Sequence, residues 1–171
     1  MNTVLVVEDD LVYRGALARA LTRSGYAVRE AGGVEEALAR LDDGAPTHAV
    51  IDLALPDGSG IDVLRAVVDA APACRAVLLT GHGTIPATVE AMRAGAVDVK
   101  TKPVSTAVLV AALERPAAAV RAAADVLDHV ERDHIRRVLE AVDGNISEAA
   151  RRLGVHRRTL QRRLRRLPDE A

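Results

Sequence analysis

The chain has no phenylalanine and no tryptophan, and Tyr13 and Tyr26 are its only tyrosines. A chain that is nonetheless 49% hydrophobic must build its core from Ala, Val, Leu and Ile, which suits parallel strands covered by helices. Cys74 is the single cysteine, so an internal disulfide and a cysteine-pair metal site are both excluded. It reads as a buried or semi-buried small apolar residue, with a redox thiol as the other reading. The closest of the five histidines, His129 and His134, are five apart and do not share a helical face, so zinc is not expected. No apolar run reaches the roughly 18 residues that cross a bilayer, and the N-terminus lacks the basic-then-apolar layout of a signal peptide. A cytoplasmic protein with no membrane partner is expected.

What is present is unevenly placed. The net charge is only −1, yet residues 144–167 hold eight arginines against the single acid Glu148. An arginine-rich composition accounts for the scarcity of lysine, represented only by Lys100 and Lys102, but not for that clustering. The asymmetry points to an acidic partner for the C-terminus. A length of 171 residues allows one domain, or a domain plus a small module.

Short β-branched runs alternate with segments of helical period. Thr3 to Val7 is followed by Leu11 to Arg23, Tyr26 to Glu30 by Val34 to Leu41, and His48 to Asp52 by Ile61 to Asp69. Ala76 to Thr80, Ile85 to Ala94, Val97 to Thr101 and Thr106 to Glu114 continue the rhythm. Five strands and five helices in this order predict an α/β fold, a five-stranded doubly wound parallel sheet, over residues 1–114. Residues 115–125, alanine-rich with one proline, read as a linker or the frayed end of the fifth helix. Residues 126–171 then read as a small all-α unit. Leu127 to Val142 carries an amphipathic stripe that Asp143-Gly144 ends, and Asn145 caps a new helix with Glu148 completing a capping-box pair. Gly154 breaks the chain before a last helix from His156 to Leu167, and the result is a helix-turn-helix.

Four features fall at the carboxyl ends of four predicted strands: Glu8-Asp9, Asp52, Thr80 and Lys102. An open parallel sheet gathers those ends on one edge, where ligands bind. Carboxylates held about 4 Å apart repel by roughly 1 kcal/mol in water and about 4 kcal/mol at an effective dielectric of 20. Such a cluster calls for a hard divalent cation with oxygen ligands, and Mg²⁺ fits. Asp52 there is a candidate phosphoacceptor, with Lys102 neutralising phosphoryl oxygens and the Thr80 hydroxyl taking another. An acid-base hydrolase is less well supported, because no Ser or Cys with a paired His lies on this edge.

The runs Val4-Leu-Val-Val-Glu8-Asp9-Asp10, Ile51-Asp52-Leu-Ala-Leu-Pro56-Asp-Gly-Ser-Gly60, Thr80-Gly81-His82-Gly83 and Gly95-Ala-Val-Asp-Val-Lys-Thr-Lys102-Pro103 resemble the receiver domain of two-component response regulators. The resemblance covers residues 1–114 and implies a flavodoxin-like fold, with Asp52 phosphorylated by a sensor histidine kinase. It implies Mg²⁺ held by Asp9, Asp52 and the Ala54 carbonyl, with Glu8 mostly through water. It also implies a protein that is no enzyme beyond taking part in phosphoryl transfer and its own dephosphorylation. One departure stands out: the aromatic that such receivers carry three residues before the lysine is Val99 here.

In the last helix Leu160, Leu164 and Leu167 share one face, while Arg158, Arg162 and Arg165 lie nearly opposite, flanked by Gln161 and Arg166. Like charges on one face at spacings of three and four cost stability unless a polyanion is near. The basic face, with His156, Arg157, Arg158, Gln161, Arg162 and Arg165, therefore reads as a contact for double-stranded DNA; a membrane surface is the competitor, and lacks aromatic anchors. Asp133 to Leu164 resembles a Fis-type helix-turn-helix, and joined to a receiver the chain is similar to the global regulators of the RegA, PrrA and ActR group. That implies transcription regulation of a redox-responsive regulon, and because helix-turn-helix proteins commonly read paired half-sites, a homodimer on DNA is expected. The chain has no Gly-x-x-x-x-Gly-Lys-Ser/Thr loop, so ATP-driven remodelling of polymerase is not expected. The alternative is a phosphorylation-independent DNA-binding protein whose receiver is a docking or dimerisation surface.

Overall fold

Val4 to Val7 are all at most 1% exposed, a run that only a strand covered on both faces can accommodate. In the computed structural model, which describes residues 2–81, 83–115, 130 and 132–164, and the side chains of all of these except 162 and 163, this run is β1 (Thr3–Val7), an interior strand of a parallel sheet. The elements that follow are α1 (Leu11–Arg23), β2 (Ala27–Ala31), α2 (Val34–Asp42), β3 (His48–Asp52), β4 (Ala54–Leu55), β5 (Gly58–Ser59) and α3 (Gly60–Ala70). They continue with β6 (Arg75–Thr80), α4 (Ile85–Arg93), β7 (Asp98–Thr101) and α5 (Thr106–Leu113). The backbone divides into two units, Met1–Arg121 and Ala122–Ala171.

In the first unit the strand order is β2-β1-β3-β6-β7, all parallel. The order reverses at β1, which has β2 on one side and β3 on the other, and the crevice outside the carboxyl ends at that point is where such sheets bind ligands. Alternation sends Val4, Val6, Val50, Val77 and Leu79 to one face, where Leu17 and Leu21 of α1 and Leu109 and Leu113 of α5 cover them. Leu5, Ile51 and Leu78, equally buried, face the opposite way. With no large ring available, close packing depends on aliphatic interdigitation, and truncating a wholly buried residue such as Leu79 to Ala should cost about 2–5 kcal/mol.

Two local readings are corrected. Tyr26 stands before β2, because its N–H is taken by the Leu21 carbonyl at the end of α1, and the ladder starts with Ala27 opposite Thr3. Residues 54–59, given no structure from sequence, form the small antiparallel β4–β5 hairpin turned by Pro56-Asp57. Gly60 follows because its Cα lies against the Asp52 carbonyl, and a Cβ there would collide with that backbone. In the second unit residues 132–140 form α6, followed by α7 (Ile146–Arg152) and α8 (Arg157–Leu164). Ile135, Ala149, Ala150, Leu153 and Leu160 make its core. Gly154, at φ +65°, turns the chain between α7 and α8 in the left-handed region that glycine enters without strain.

Candidate functional site

The acidic run at the end of β1 divides its labour. Asp10 caps α1, accepting from the N–H groups of Val12 (2.9 Å) and Tyr13 (3.0 Å), which leaves Glu8 and Asp9 to face the crevice. Glu8 is 1% exposed and Asp52, the last residue of β3, 5% exposed, whereas Asp9 is open to solvent. Glu8, Asp9 and Asp52 each offer a carboxylate oxygen within 4.8 Å of the others. Lys102 Nζ lies 2.8 Å from Asp52 Oδ2 and 2.6 Å from Glu8 Oε2. The Lys102 backbone is fixed in turn, its N–H donating to the Thr80 carbonyl at 2.8 Å, and Thr80 itself is buried at the end of β6. Ala54 opens β4 beside the site, with its N–H 3.5 Å from Asp52 Oδ1. Every predicted residue of this edge, Glu8, Asp9, Asp52, Ala54, Thr80 and Lys102, is therefore gathered at one end of the sheet.

Burial raises the Glu8 carboxyl above its ordinary value despite the pull of Lys102, and the charge of Asp52 adds to the rise. Burial alone would lower Lys102, but hydrogen bonding to Asp52 and Glu8, with their charges, outweighs it and holds the ammonium above its usual value. Ionised, three carboxylates against one ammonium leave two negative charges. Glu8 Oε2 is compensated in charge by Lys102 yet has no well-aligned hydrogen bond. An all-oxygen donor set with a buried, incompletely bonded carboxylate suits a hard divalent cation.

Several supports escaped the sequence reading. Arg14 Nη1 donates to the Glu8 carbonyl at 2.7 Å, and Tyr13 lies under Lys102, its ring centroid 5.4 Å from Nζ. Asp57, at the tip of the hairpin, accepts from the N–H groups of Val34 (2.8 Å) and Glu35 (3.0 Å), tying the loop after Asp52 to α2; those bonds lower its carboxyl below the ordinary range. An unpaired acid in a Pro-Asp-Gly turn is the available signal for Asp57, but not its partner. Val99 is half-buried on β7. Cys74 is buried, and burial pushes its thiol to about 12, in keeping with an inert apolar role.

On the second unit, His156, Arg157 and Arg158 are exposed and Gln161 is half-buried beside the wholly buried Leu160. The Arg162 side chain and Arg165 lie outside the described residues, as do Arg166 and Leu167. His156 also caps α8, its Nδ1 accepting from the Arg158 N–H at 3.2 Å. Asn145 caps α7 through Ser147 and Glu148, each at 3.1 Å, but Glu148 does not complete a capping box. The Asn145 N–H is already given to the Val142 carbonyl, so the Glu148 carboxylate pairs with Arg151 and Arg152 instead.

Comparison with known proteins accords with this geometry. Residues 4–114 match the response regulator receiver domain, and residues 126–167 match the bacterial regulatory proteins of the Fis family. The acid tolerance regulatory protein ActR of Rhizobium meliloti is 43% identical over 164 residues, which is 94% of this chain and 84% of that one. The photosynthetic apparatus regulatory protein RegA of Cereibacter sphaeroides is 38% identical over 172 residues, 94% of this chain and 89% of that one. A crystal structure of a response regulator from Burkholderia pseudomallei, with a phosphorylated aspartic acid, a calcium ion and citrate, superposes with a TM-score of 0.69 at 38% identity. That match spans 95% of this chain and 98% of that one. Among the described residues no helix is long and apolar enough to cross a membrane. The chain thus belongs to the two-component response regulators, with a receiver domain followed by a Fis-family helix-turn-helix.

Proposed function

We propose that Asp52 accepts a phosphoryl group from the phosphohistidine of a sensor kinase and that this controls promoter binding by the C-terminal module. The observation that carries the reading is the shared ammonium: Lys102 Nζ touches both Asp52 and Glu8, with Asp9 in the same cluster. Asp52 Oδ would attack phosphorus in line as the bond to the donor nitrogen breaks and the imidazole leaves with its electron pair. Lys102 would pass from the carboxylates to a phosphoryl oxygen, and the Thr80 hydroxyl would meet another. Asp9, Asp52 and the Ala54 carbonyl would hold Mg²⁺, with Glu8 through water, and the ion when bound neutralises charge developing on the phosphoryl oxygens. Hydrolysis of the acyl phosphate in the same pocket would reset the protein. That is self-dephosphorylation rather than turnover of a separate substrate.

The receiver would span residues 1–114, the linker 115–125 and the DNA-binding module 126–171, working in the cytoplasm. His156, Arg157, Arg158, Gln161, Arg162 and Arg165 would meet DNA, as a homodimer on paired half-sites. Incubation with acetyl phosphate and Mg²⁺ should give a phosphoryl adduct that Asp52→Asn lacks; absence of any adduct in the wild-type chain sinks the switch. A dimer making about 6–10 phosphate contacts should lose roughly 10³–10⁵ in affinity between about 50 and 200 mM salt. Salt-independent binding would overturn the DNA interface.

Val99 supports a second reading, because no ring at that position can swing inward to carry a signal. In it the module binds DNA whatever the state of Asp52 and the receiver is a docking or dimerisation surface. Promoter affinity identical with and without the phosphodonor, in a chain that does form the adduct, selects this reading.

A further inference from the structure

The pocket is lined by Glu8, Asp9, Asp10, Tyr13, Lys102 and Pro103, and five of these six are either charged or part of the Lys102-Pro103 pair. Tyr13 is the exception, in a chain with only two tyrosines and no other large ring. Its place is not left to side-chain freedom. The Asp10 cap takes the Tyr13 N–H at 3.0 Å and fixes the first turn of α1, and the body of the side chain packs against the apolar cluster under α1 and α5. The ring then stands 5.4 Å from Lys102 Nζ, within the range in which an ammonium is attracted to the face of an aromatic ring. The hydroxyl reaches over the next turn of chain to accept, at 3.4 Å, from the N–H of Val104, two residues beyond the lysine. One side chain thus meets both the Lys102 ammonium and the backbone that follows it.

We propose that Tyr13 is a positioning residue for phosphoryl transfer to Asp52, acting through Lys102. The inference rests on the reading of Asp52 given above. In the resting pocket the ammonium is held by two carboxylates, 2.6 and 2.8 Å away. Ion pairs this short would keep it on the carboxylates after the phosphoryl group arrives. The ring attracts the charge without demanding a direction, so the ammonium keeps a third contact while it leaves Glu8 and follows the phosphoryl oxygens. A ring at this place on α1 holds the cation at the mouth of the pocket, where the incoming group enters. In the reaction with acetyl phosphate, the Asp52 Oδ–P bond forms as the bond from phosphorus to the acetate oxygen breaks, and acetate departs with the electron pair. Lys102 neutralises the phosphoryl oxygens throughout, and Tyr13 touches neither donor nor product.

Adduct formation by the full-length chain with acetyl phosphate and Mg²⁺, followed by intact mass, tests this in Tyr13→Phe, Tyr13→Leu and Tyr13→Met. Phe keeps the ring and loses only the long hydroxyl contact, while Leu and Met fill the space without a ring; using both guards against one of them failing to fold. Tyr13→Phe should react within about twofold of wild type, and the other two about tenfold more slowly, the rate equivalent of a partly desolvated cation–ring contact. The Lys102 ε-methylene resonances should be shifted upfield by the ring in wild type and Tyr13→Phe alone, and the slower rate should persist in Leu and Met variants whose urea midpoints equal that of wild type, an outcome that a purely structural role for Tyr13 would not produce. Wild-type rates in a folded Leu or Met variant, or a Phe variant as slow as Leu, overturn the proposal while leaving Asp52 in place. No adduct even in the wild-type chain overturns the reading of Asp52 and this inference with it.

Discussion

The two ends of the receiver sheet use the same kinds of side chain to opposite effect. At the carboxyl end, three carboxylates crowd one ammonium, and a buried oxygen of Glu8 goes without a well-aligned hydrogen bond. At the amino end, two buried side chains, Tyr26 and His48, meet the more exposed Glu114 and Thr47. The Tyr26 hydroxyl donates to Glu114 Oε1 at 2.5 Å, and the Tyr26 ring meets His48 edge-on at 5.1 Å. His48 Nδ1 lies 2.9 Å from the Thr47 hydroxyl, which also donates to the Thr3 carbonyl. His48 Nε2 faces Glu114 Oε1 at 3.7 Å. At one end like charges crowd together, and that is the end that reacts; at the other a single carboxylate, Glu114, ties the end of α5 to Tyr26 and His48.

The largest contrast should come from neutralising one acid at each end. Asp52→Asn should abolish the phosphoryl adduct outright while leaving the urea midpoint unchanged or higher, since it removes a charge from a crowded cluster. Glu114→Ala should do the reverse: the adduct forms at the wild-type rate, but stability falls by about 0.5–1.5 kcal/mol, because the Tyr26 hydroxyl loses a part-buried hydrogen bond. A fall of that size in Asp52→Asn would erase the distinction between the ends.

Divalent cation comes next. Mg²⁺ at tenfold its dissociation constant should raise unfolding free energy by about 1.4 kcal/mol in wild type and not in Asp9→Asn, read by urea titration with and without the ion. Stabilisation that survives in Asp9→Asn would place the ion elsewhere.

The smallest effect is on pH, where the two ends should pull in opposite directions. Burial lowers His48 below its ordinary 6.5, so the unfolded chain takes up a proton before the folded one does. Its share of stability is complete above pH 6.5 and is lost as pH falls below that value. Glu8 is raised above 4.5 by burial, so the folded chain protonates first and gains stability as pH falls through the raised value towards 4.5. His48→Gln should flatten the first slope and Glu8→Gln the second, in urea midpoints measured from pH 4 to 8, with each slope below about 1.4 kcal/mol per pH unit. A slope near pH 6.5 that persists in His48→Gln would reassign it to another histidine.

How far this could be read from sequence follows the same division. Period-two and helical patterns placed nearly every strand and helix, and the carboxyl-edge rule brought Glu8, Asp9, Asp52, Thr80 and Lys102 together because it needs only strand ends and topology. The contacts that periodicity left hidden join residues far apart in sequence. Tyr26 and Glu114 are 88 residues apart, and Asp57 and Val34 are 23 apart; a pattern says which face a side chain is on, not what it meets there. Glu148 was misjudged for a related reason: the capping-box spacing was right, but the Asn145 N–H already belonged to Val142.

The close of α5 has a practical consequence for anyone cutting this chain. The match to the receiver domain ends at residue 114, yet the next side chain, Arg115, donates to Asp98 Oδ2 at 2.8 Å, and Asp98 also holds Lys100 at 2.8 Å. A receiver excised after Leu113 would lose the acceptor of Tyr26 and one cation of Asp98, the residue that opens the strand leading to Lys102. A portable receiver, for transplant onto another DNA-binding module, should therefore carry Glu114 and Arg115 with it, and the exchange should be made beyond them.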